Sequence, residues 1–272
     1  GSGITVSPDG DIFATGVTTA TKFVGDGSEL TGVASTENIR TNTNATFLQN
    51  INVGVAITAG KLGIGFTDAN VKVGSGAADA LTTGGNNTAV GYDAMTNTTS
   101  GGSNTAVGKD ALKTNTTGSS NAALGENSLE NNSTGSQNTG IGKDALRANT
   151  TASDNTAVGH EALELTSTGA QNTIVGSGAG RSNTTASNNT GVGYYALRSN
   201  TTGTQNTALG SGCLTANTTA DENTAVGYLA LNDNTTGSLN TAVGAYCLDV
   251  NTTGADNVAM GANALGANTT AN

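Results

Sequence analysis

Residue types that could do catalytic chemistry are scarce in this sequence of 272 residues, and their spacing does not group them. The single histidine, His160, has Lys, Glu, Ser or Tyr at its equivalent places in a repeated segment, so a Ser-His-Asp or Cys-His arrangement would lack supporting neighbours there. Glycine-rich strings such as residues 176–180 are similar to phosphate-binding loops, but no helix pattern follows them. The sequence therefore predicts no enzyme, no cofactor and no metal site.

The composition argues against several classes of protein. A net charge of −10 at pH 7 provides no basic surface for nucleic acid or for an anionic membrane. Only 35% of the residues are hydrophobic and 3% are aromatic, while 40 are glycine, which argues against one large globular core. No apolar run approaches the ~18 residues that span a bilayer, and the N-terminus lacks the basic and apolar regions of a signal peptide. We expect neither nucleic-acid binding nor membrane insertion.

A repeat of seventeen residues organises most of the chain. Its consensus is NTAVGxxALxxNTTGxx, with an asparagine followed four residues later by a glycine. Regular units start at Asn87, Asn104, Asn121, Asn138, Asn155, Asn172, Asn189, Asn206, Asn223, Asn240 and Asn257, and a degenerate twelfth copy starts at Asn70. We number the unit positions 1 to 17 from this asparagine.

The period predicts an all-β fold, a parallel β-solenoid or β-roll with one unit per coil. Seventeen residues are too few for a repeat of two helices, and no window has an apolar stripe at helical spacing. The short apolar pieces predict one strand at NTAVG and a second around AL, joined by turns at positions 6–7 and at NTTG. Stacked coils would then lie about 4.8 Å apart.

Constant positions in the unit have structural interpretations. The glycine at position 5, as in Gly108, predicts a positive φ or a close backbone approach. The asparagine at position 1, as in Asn104, predicts a ladder of side-chain amides from coil to coil. The aliphatic residues at positions 4 and 9, as in Val107 and Leu112, are predicted to form the core. In the unit that starts at Asn104, the residues predicted to stack on their equivalents in the coils above and below are Asn104, Gly108, Val107 and Leu112, and we call these rows the structural ladder.

The predicted core is thin, so we expect the chain to associate. Two aliphatic side chains per coil contribute roughly 3 to 6 kcal/mol of burial, against an ordering cost of about 1.5 kcal/mol for each of seventeen residues. The small residues at position 3, such as Ala106 and Gly140, are smooth enough for close contact between chains. We expect an obligate oligomer, a homotrimer.

Charged residues alternate in sign along two rows, which predicts ion pairs between coils in register. These are Lys109, Glu126, Lys143 and His160 at position 6, and Lys113, Glu130, Arg147, Glu164 and Arg181 at position 10. The alternation ends at Arg181 and Arg198. Each exposed pair contributes only about 0 to 1 kcal/mol, so the rows mark register more than they stabilise.

Cysteines and glycosylation sequons also follow the repeat. Cys213 and Cys247 both stand at position 8, two coils apart, so stacking places them nearly 10 Å from each other and beyond disulfide reach. The NTT segments form sequons at Asn115, Asn149, Asn200 and Asn234. Glycans about 4.8 Å apart would collide, so we interpret these asparagines as a turn ladder.

Residues 1–69 differ from the repeats and are predicted to be a separate β-rich attachment or capping segment, with the solenoid at 70–272. All four phenylalanines lie in the first segment and all five tyrosines in the second. The stretch ITVSPDGDIFATG predicts two strands around a turn, and this explains Asp9 and Asp11 better than a calcium site, because no EF-hand spacing follows. No polar cap follows the last repeat, so we expect a fragment of a longer fibre.

Two features could carry binding. Tyrosines at positions 6 and 7, including Tyr194, Tyr195, Tyr228 and Tyr246, would line one edge of the stack and could contact a receptor or glycan. Threonine rows at positions 2, 13 and 14 could order water and bind ice, although hydrogen bonds that close turns explain the same residues.

Three stretches resemble proteins of known families. FVGDGSELTGV at 23–33 and ENIRTNTNATFLQNINVG at 37–54 resemble segments of tail-fibre and related structural proteins of marine bacteriophages, cyanophages in particular. The repeats occur in similar proteins and resemble, more distantly, the β-roll head of trimeric autotransporter adhesins. This resemblance implies an elongated trimeric fibre, on a virion or a bacterial surface, that attaches to a host-cell glycan or protein receptor.

Overall fold

A computed structural model of the chain describes residues 4–6, 12–14 and 69–272. The chain divides into two compact units, residues 1–60 and 61–272. The described residues contain strands and turns but no helix. The strands are β1 Ile4–Val6, β2 Ile12–Ala14, β3 Val71–Val73, β4 Thr88–Val90, β5 Thr105–Val107, β6 Ala122–Leu124, β7 Thr139–Ile141, β8 Thr156–Val158, β9 Thr173–Val175, β10 Thr190–Val192, β11 Thr207–Leu209, β12 Thr224–Val226, β13 Thr241–Val243 and β14 Val258–Met260.

In the first unit, β1 and β2 form an antiparallel pair in which Ile4 lies opposite Ala14 and Val6 opposite Ile12. The two strands predicted around the turn are therefore confirmed. The turn itself, with Asp9 and Asp11, lies outside the described residues, as do the stretches at 23–33 and 37–54.

In the second unit, β3 to β14 form one parallel sheet of twelve strands in sequence order. Each residue pairs with the residue at the same unit position in the next coil, as Ala106 does with Ala123. The same one-coil register holds from β3 to β14. The prediction of a parallel β-solenoid with a coil of seventeen residues is confirmed.

Glycine at position 5 ends every strand, and both predicted reasons hold. The φ angle there lies between +121° and +145° in all twelve coils. A Cβ atom on Gly108 would lie 2.5 Å from the carbonyl oxygen of Gly125 in the next coil. A side chain at this position would thus be strained by backbone conformation and also collide with the neighbouring coil.

The predicted second strand around Ala111 and Leu112 is wrong, because residues 109–114 form a turn. The φ angles of Asp110 and Leu112 are +56° and +50°, and positions 7 and 9 are positive in every coil. A leucine rarely adopts this conformation, which costs about 1 to 2 kcal/mol. Even so, the backbone amide of Leu112 donates a hydrogen bond to the backbone carbonyl oxygen of Ser128 in the next coil, at 3.0 Å. The coils are therefore joined by hydrogen bonds beyond the strand as well.

The core consists of positions 3, 8 and 9, with mostly small residues at positions 3 and 8 and mostly leucine at position 9, so position 4 was wrongly predicted to be buried. Ala106, Ala111 and Leu112 are 0% exposed. Val107 is half-buried, and its equivalents Leu124 and Met260 are 49% and 76% exposed. Alternate residues of a strand point to opposite faces, so an inward position 3 sends positions 2 and 4 outward. Position 3 therefore lies inside the coil and cannot form the contact between chains predicted for it.

The asparagines at position 1 form the predicted ladder. The backbone amide of Asn121 donates to Asn104 Oδ1 at 2.9 Å. The Asn104 side-chain amide donates to the carbonyl oxygen of Gly118, at position 15 of its own coil, also at 2.9 Å. Each side chain thus joins two coils and closes its own. Both groups are buried, so these hydrogen bonds replace contacts with water.

A second asparagine row at position 12 lies beside the first. The Asn132 side-chain amide donates to Asn115 Oδ1 and to the Gly135 carbonyl oxygen, both at 2.9 Å. The sequon residues Asn115, Asn149, Asn200 and Asn234 belong to this row and are at most 1% exposed. Their interpretation as a turn ladder is confirmed.

Position 12 is leucine in the first coil, at Leu81, and the second row is interrupted further on where threonine replaces asparagine, at Thr98 and Thr166. Both threonine hydroxyls are buried without a hydrogen-bond partner, and so is Asn149 Oδ1. Asn149 is one coil before Thr166, whose side chain has no amide group to donate. The substitution therefore leaves a gap of one coil in the ladder.

Candidate functional site

Four tyrosines at positions 6 and 7 lie in three nearby coils, with Tyr195 half-buried and the other three exposed. We call them the tyrosine edge: Tyr194, Tyr195, Tyr228 and Tyr246. The glycine at position 5 ends each strand, and the turn that follows carries these side chains. Tyr194 is 52% exposed, Tyr228 49% and Tyr246 40%. The fifth tyrosine, Tyr92, is 56% exposed and stands six coils before Tyr194. The structure thus brings the four predicted residues into adjacent or alternate coils.

The four rings form two pairs. The rings of Tyr194 and Tyr195 are stacked, with centroids 3.8 Å apart and planes inclined by 27°. The rings of Tyr228 and Tyr246 meet edge to face, at 5.3 Å and 83°. The guanidinium carbon of Arg198 lies 4.2 Å from the centre of the Tyr195 ring. These contacts restrict the rings while leaving much of Tyr194 and Tyr228 accessible.

Small residues make room for the large side chains at position 7. A Cβ atom on Gly178 would collide with the ring of Tyr195 one coil later, and a Cβ atom on Gly212 would collide with Leu229. Sequence reasoning missed the contact of Arg198 with Tyr195 and the matching of each glycine to the large side chain one coil later. A usable signal was present, because a glycine stands at position 7 one coil before Tyr195 and before Leu229.

The environment raises the pKa of two of these phenols further above neutral pH. A hydrogen bond with Tyr195 raises the pKa of Tyr194 above its usual value. The pKa of Tyr246 is also raised, mainly because the phenol is desolvated and to a smaller extent because Tyr228 lies beside it. A neutral phenol can donate and accept a hydrogen bond while its ring offers an apolar face. The tyrosine edge is therefore suited to stacking and hydrogen bonding.

Positions 2 and 4 of β3 to β14 form a second surface, which we call the outer sheet face. Threonines at position 2 lie beside the aliphatic side chains at position 4, in the same one-coil register as the strands. Thr105 is exposed, and Val192 is 41% exposed. The face thus combines a hydroxyl row and an apolar row along the stack.

The predicted threonine rows have different surroundings. At position 13 the hydroxyls bond to the next coil, as Thr116 Oγ1 donates to the Ser133 carbonyl oxygen at 3.0 Å. Thr201 does the same to Thr218 at 2.9 Å. Position 14, as in Thr117, is exposed. The ladder interpretation is therefore confirmed at position 13, where the hydroxyls already donate within the protein.

The charged row at position 6 forms the predicted pairs between coils. Glu126 lies between Lys109 at 3.7 Å and Lys143 at 3.3 Å. His160 does not continue these pairs: its Nε2 lies 3.9 Å from Glu161, the next residue in its own coil. All of these side chains are partly exposed to solvent.

The row at position 10 follows the prediction only in part. Glu164 lies between Arg147 at 2.9 Å and Arg181 at 2.7 Å, as predicted. Lys113, however, contacts two aspartates at position 7, Asp110 at 2.8 Å and Asp93 at 3.6 Å, where alternation predicted Glu130. The carboxylates that Lys113 contacts therefore stand at position 7, whereas the prediction compared only residues at position 10.

The remaining chemically reactive residues lie apart from one another. Cys213 and Cys247 are buried free thiols, as predicted, and burial raises the pKa of each. Within residues 69–272 and the two short strands, no three His, Cys, Asp or Glu side chains are placed to hold a metal ion. In the same described part, no helix has the length and apolar character needed to cross a membrane.

Comparison with known proteins adds no identification. Neither a family model, nor a curated protein, nor a solved structure matches this chain.

Proposed function

We propose that this chain is a rigid shaft segment of an attachment fibre, which spaces or presents a receptor-binding region as in viral tail fibres. The observation that supports this most is the unbroken register of twelve strands, with no insertion in any coil. Each coil adds about 4.8 Å of length, so residues 70–272 extend over roughly 60 Å. A repeat that changes length in equal steps suits a spacer.

Hydrogen bonds around the whole coil would give such a shaft its stiffness. Successive coils are joined in the strand, in the turn at positions 6–11 and at position 13, as from Thr116 N to the Ser133 oxygen at 2.8 Å. The two buried asparagine rows add bonds inside the coil. Bending would strain several of these contacts at once. The same fibre would belong to a virion or a bacterial surface and meet a host-cell receptor.

We also propose a homotrimer, in which the outer sheet face forms the contact between chains. Support comes from the aliphatic row at position 4, which includes Ile141, Val192 and Leu209 at 38% to 41% exposure. Apolar rows of this extent commonly mark contact surfaces. Sedimentation equilibrium should give three times the chain mass, and Val192→Glu should shift it toward monomer. A stable monomer of the unmodified chain would refute the trimer.

The spacer proposal is tested by changing the number of coils. Deleting residues 121–154 removes two whole units, and electron micrographs should then show a rod shorter by about 10 Å with the same width. The matched control deletes residues 121–150, which leaves residues 151–154 as four extra residues between two whole units, so it should unfold at a lower temperature than the two-unit deletion. A two-unit deletion that collapses the rod would overturn the proposal of an additive shaft.

A further inference from the structure

Tyr194 and Tyr228 stand at the same unit position in coils that start at Asn189 and Asn223. Two coil steps separate them, which is about 10 Å along the stack. The coil between them carries Ser211 at this position, and the coils on either side carry Ser177 and Ala245. The row therefore alternates a ring with a small side chain, and the two rings extend beyond their neighbours.

Each of these rings is held by another aromatic side chain. Tyr195 stacks on Tyr194 at 3.8 Å, and Arg198 lies 4.2 Å from Tyr195. Tyr246 meets Tyr228 at 5.3 Å. Restricting a side chain before binding reduces the entropy lost on binding. The pairs therefore resemble prepared platforms more than isolated surface tyrosines, for which Tyr92 is the example in this chain.

The spacing and the alternation fit one kind of ligand. In an extended β-1,4-linked glycan with a twofold repeat, successive sugars turn over, so alternate sugars present the same apolar face at intervals of one disaccharide. That interval is close to the two-coil step of about 10 Å. The apolar face of a sugar stacks on an aromatic ring, and the sugar between two platforms would lie over Ser211, whose hydroxyl can donate or accept a hydrogen bond.

We propose that Tyr194 and Tyr228 bind an extended β-1,4-linked glycan that runs parallel to the solenoid axis, with Ser211 contacting the intervening sugar. Tyr195, Arg198 and Tyr246 act as positioning residues that hold the two rings. The inference goes beyond a spacer role, because it places recognition on the shaft itself.

Titration calorimetry with three extended probes tests the proposal: the β-1,4-linked hexamers of glucose, mannose and N-acetylglucosamine. At least one of the three should bind. If the glucose hexamer binds, the α-linked glucose hexamer, which coils, should bind at least tenfold more weakly than the β-linked one. Tyr194→Ala and Tyr228→Ala should each weaken binding about tenfold, while Tyr194→Phe should retain it because the ring remains. All of these side chains are on the surface, so unchanged thermal unfolding would show that the variants fold.

Tyr92→Ala is the matched control, because it removes an exposed tyrosine at the same unit position without an aromatic neighbour, and it should leave binding unchanged. The proposal is overturned if none of the three probes binds, if Tyr92→Ala weakens binding as much as Tyr194→Ala does, or if loss of either platform has no effect. A change in rod length on coil deletion would still support the spacer in each of those cases.

Discussion

The buried asparagine rows and the exposed charged rows are both ladders of polar side chains that repeat at every coil, but their surroundings differ. Asn104 and Asn132 are 0% exposed, and the side chain of each donates a hydrogen bond to a backbone carbonyl oxygen as well as meeting the asparagines of its own row. Lys109 and Glu126 have side chains 56% and 42% exposed and meet only each other and other charges. Water can replace the second kind of contact but not the first.

The difference explains which row the sequence can abandon. Charges of alternating sign end after Arg181, and tyrosines, serine and alanine follow at position 6, yet β10 to β14 keep the same register. Position 1 remains asparagine in all twelve coils. The outer rows are therefore free to vary and can carry recognition, while the inner rows maintain the stack.

The two asparagine rows also differ from each other. At position 1 the side-chain oxygen accepts a hydrogen bond from the backbone amide of the next coil, as between Asn138 and Asn155 at 3.0 Å. At position 12 it accepts mainly from another side chain, as Asn132 does from Asn149 at 2.7 Å. Losing the first leaves a backbone donor buried without a partner, and this accounts for threonine occurring only in the second row.

The largest effect should follow from Asn138→Ala, which we expect to lower the free energy of unfolding by about 3 kcal/mol. The change removes the acceptor for Asn155 N and the donor to the Ala152 carbonyl oxygen at 2.8 Å. Asn149→Ala is the matched control, because Asn149 donates to the same carbonyl oxygen and to Asn132 Oδ1 but accepts no hydrogen bond, so its loss leaves no backbone donor unpaired. It should cost about 1 kcal/mol. Equal losses in urea denaturation would contradict the distinction between the two rows.

Filling a gap in the second row should stabilise the protein. In Thr166→Asn, the new amide can donate to Asn149 Oδ1, which is buried without a partner, and its oxygen can accept from the Asn183 amide. We expect a gain of about 1 kcal/mol, measured as a higher urea midpoint. Thr168→Asn, at exposed position 14 of the same coil, serves as the control and should change nothing. A Thr166→Asn protein less stable than the original would show that the ladder geometry cannot accommodate the amide.

Much of this stack was predictable because a strict period carries its own evidence. A glycine repeated every seventeen residues, as at Gly108, indicates a backbone requirement, and a repeated asparagine such as Asn104 indicates a ladder. The leucine at position 9 was correctly placed in the core. These predictions needed only the assumption that equivalent residues lie above one another.

The predictions that failed depended on directions inside one coil. Val107 is more hydrophobic than Ala106, yet the alanine is buried, because alternate strand residues point to opposite faces and position 3 is the one that points inward. Leu112 itself adopts a positive φ, which a strand prediction from apolar residues does not anticipate. The pairing of Tyr194 with Tyr195 likewise depends on ring orientations, although their positions in the row were predicted.

Among the charged pairs, burial should determine the size of the effect. Glu164→Gln is expected to cost about 1 kcal/mol, because its side chain is only 8% exposed and lies between Arg147 and Arg181. The pair with Glu164 also raises the pKa of Arg181. Glu126 is 42% exposed between Lys109 and Lys143, so Glu126→Gln should lower the free energy of unfolding by under about 0.5 kcal/mol. In 1 M salt, which screens exposed charges, this small difference from the original protein should disappear. Comparable losses at the two sites would indicate that exposure does not separate them.

The smallest effect should be a pH dependence that the neutral asparagine rows cannot have. A hydrogen bond from Lys113, aided by Lys109, holds the pKa of Asp110 below its usual value of 3.8. Because the folded pKa is the lower one, the contribution to stability is fully present above pH 3.8 and is lost as the pH falls below it. Asp110→Asn should therefore reduce the fall in unfolding free energy between pH 5 and pH 2 by under about 1 kcal/mol. Asn127, already an amide at this position one coil later, shows that the turn accepts the substitution; an unchanged acid profile would refute the role of Asp110.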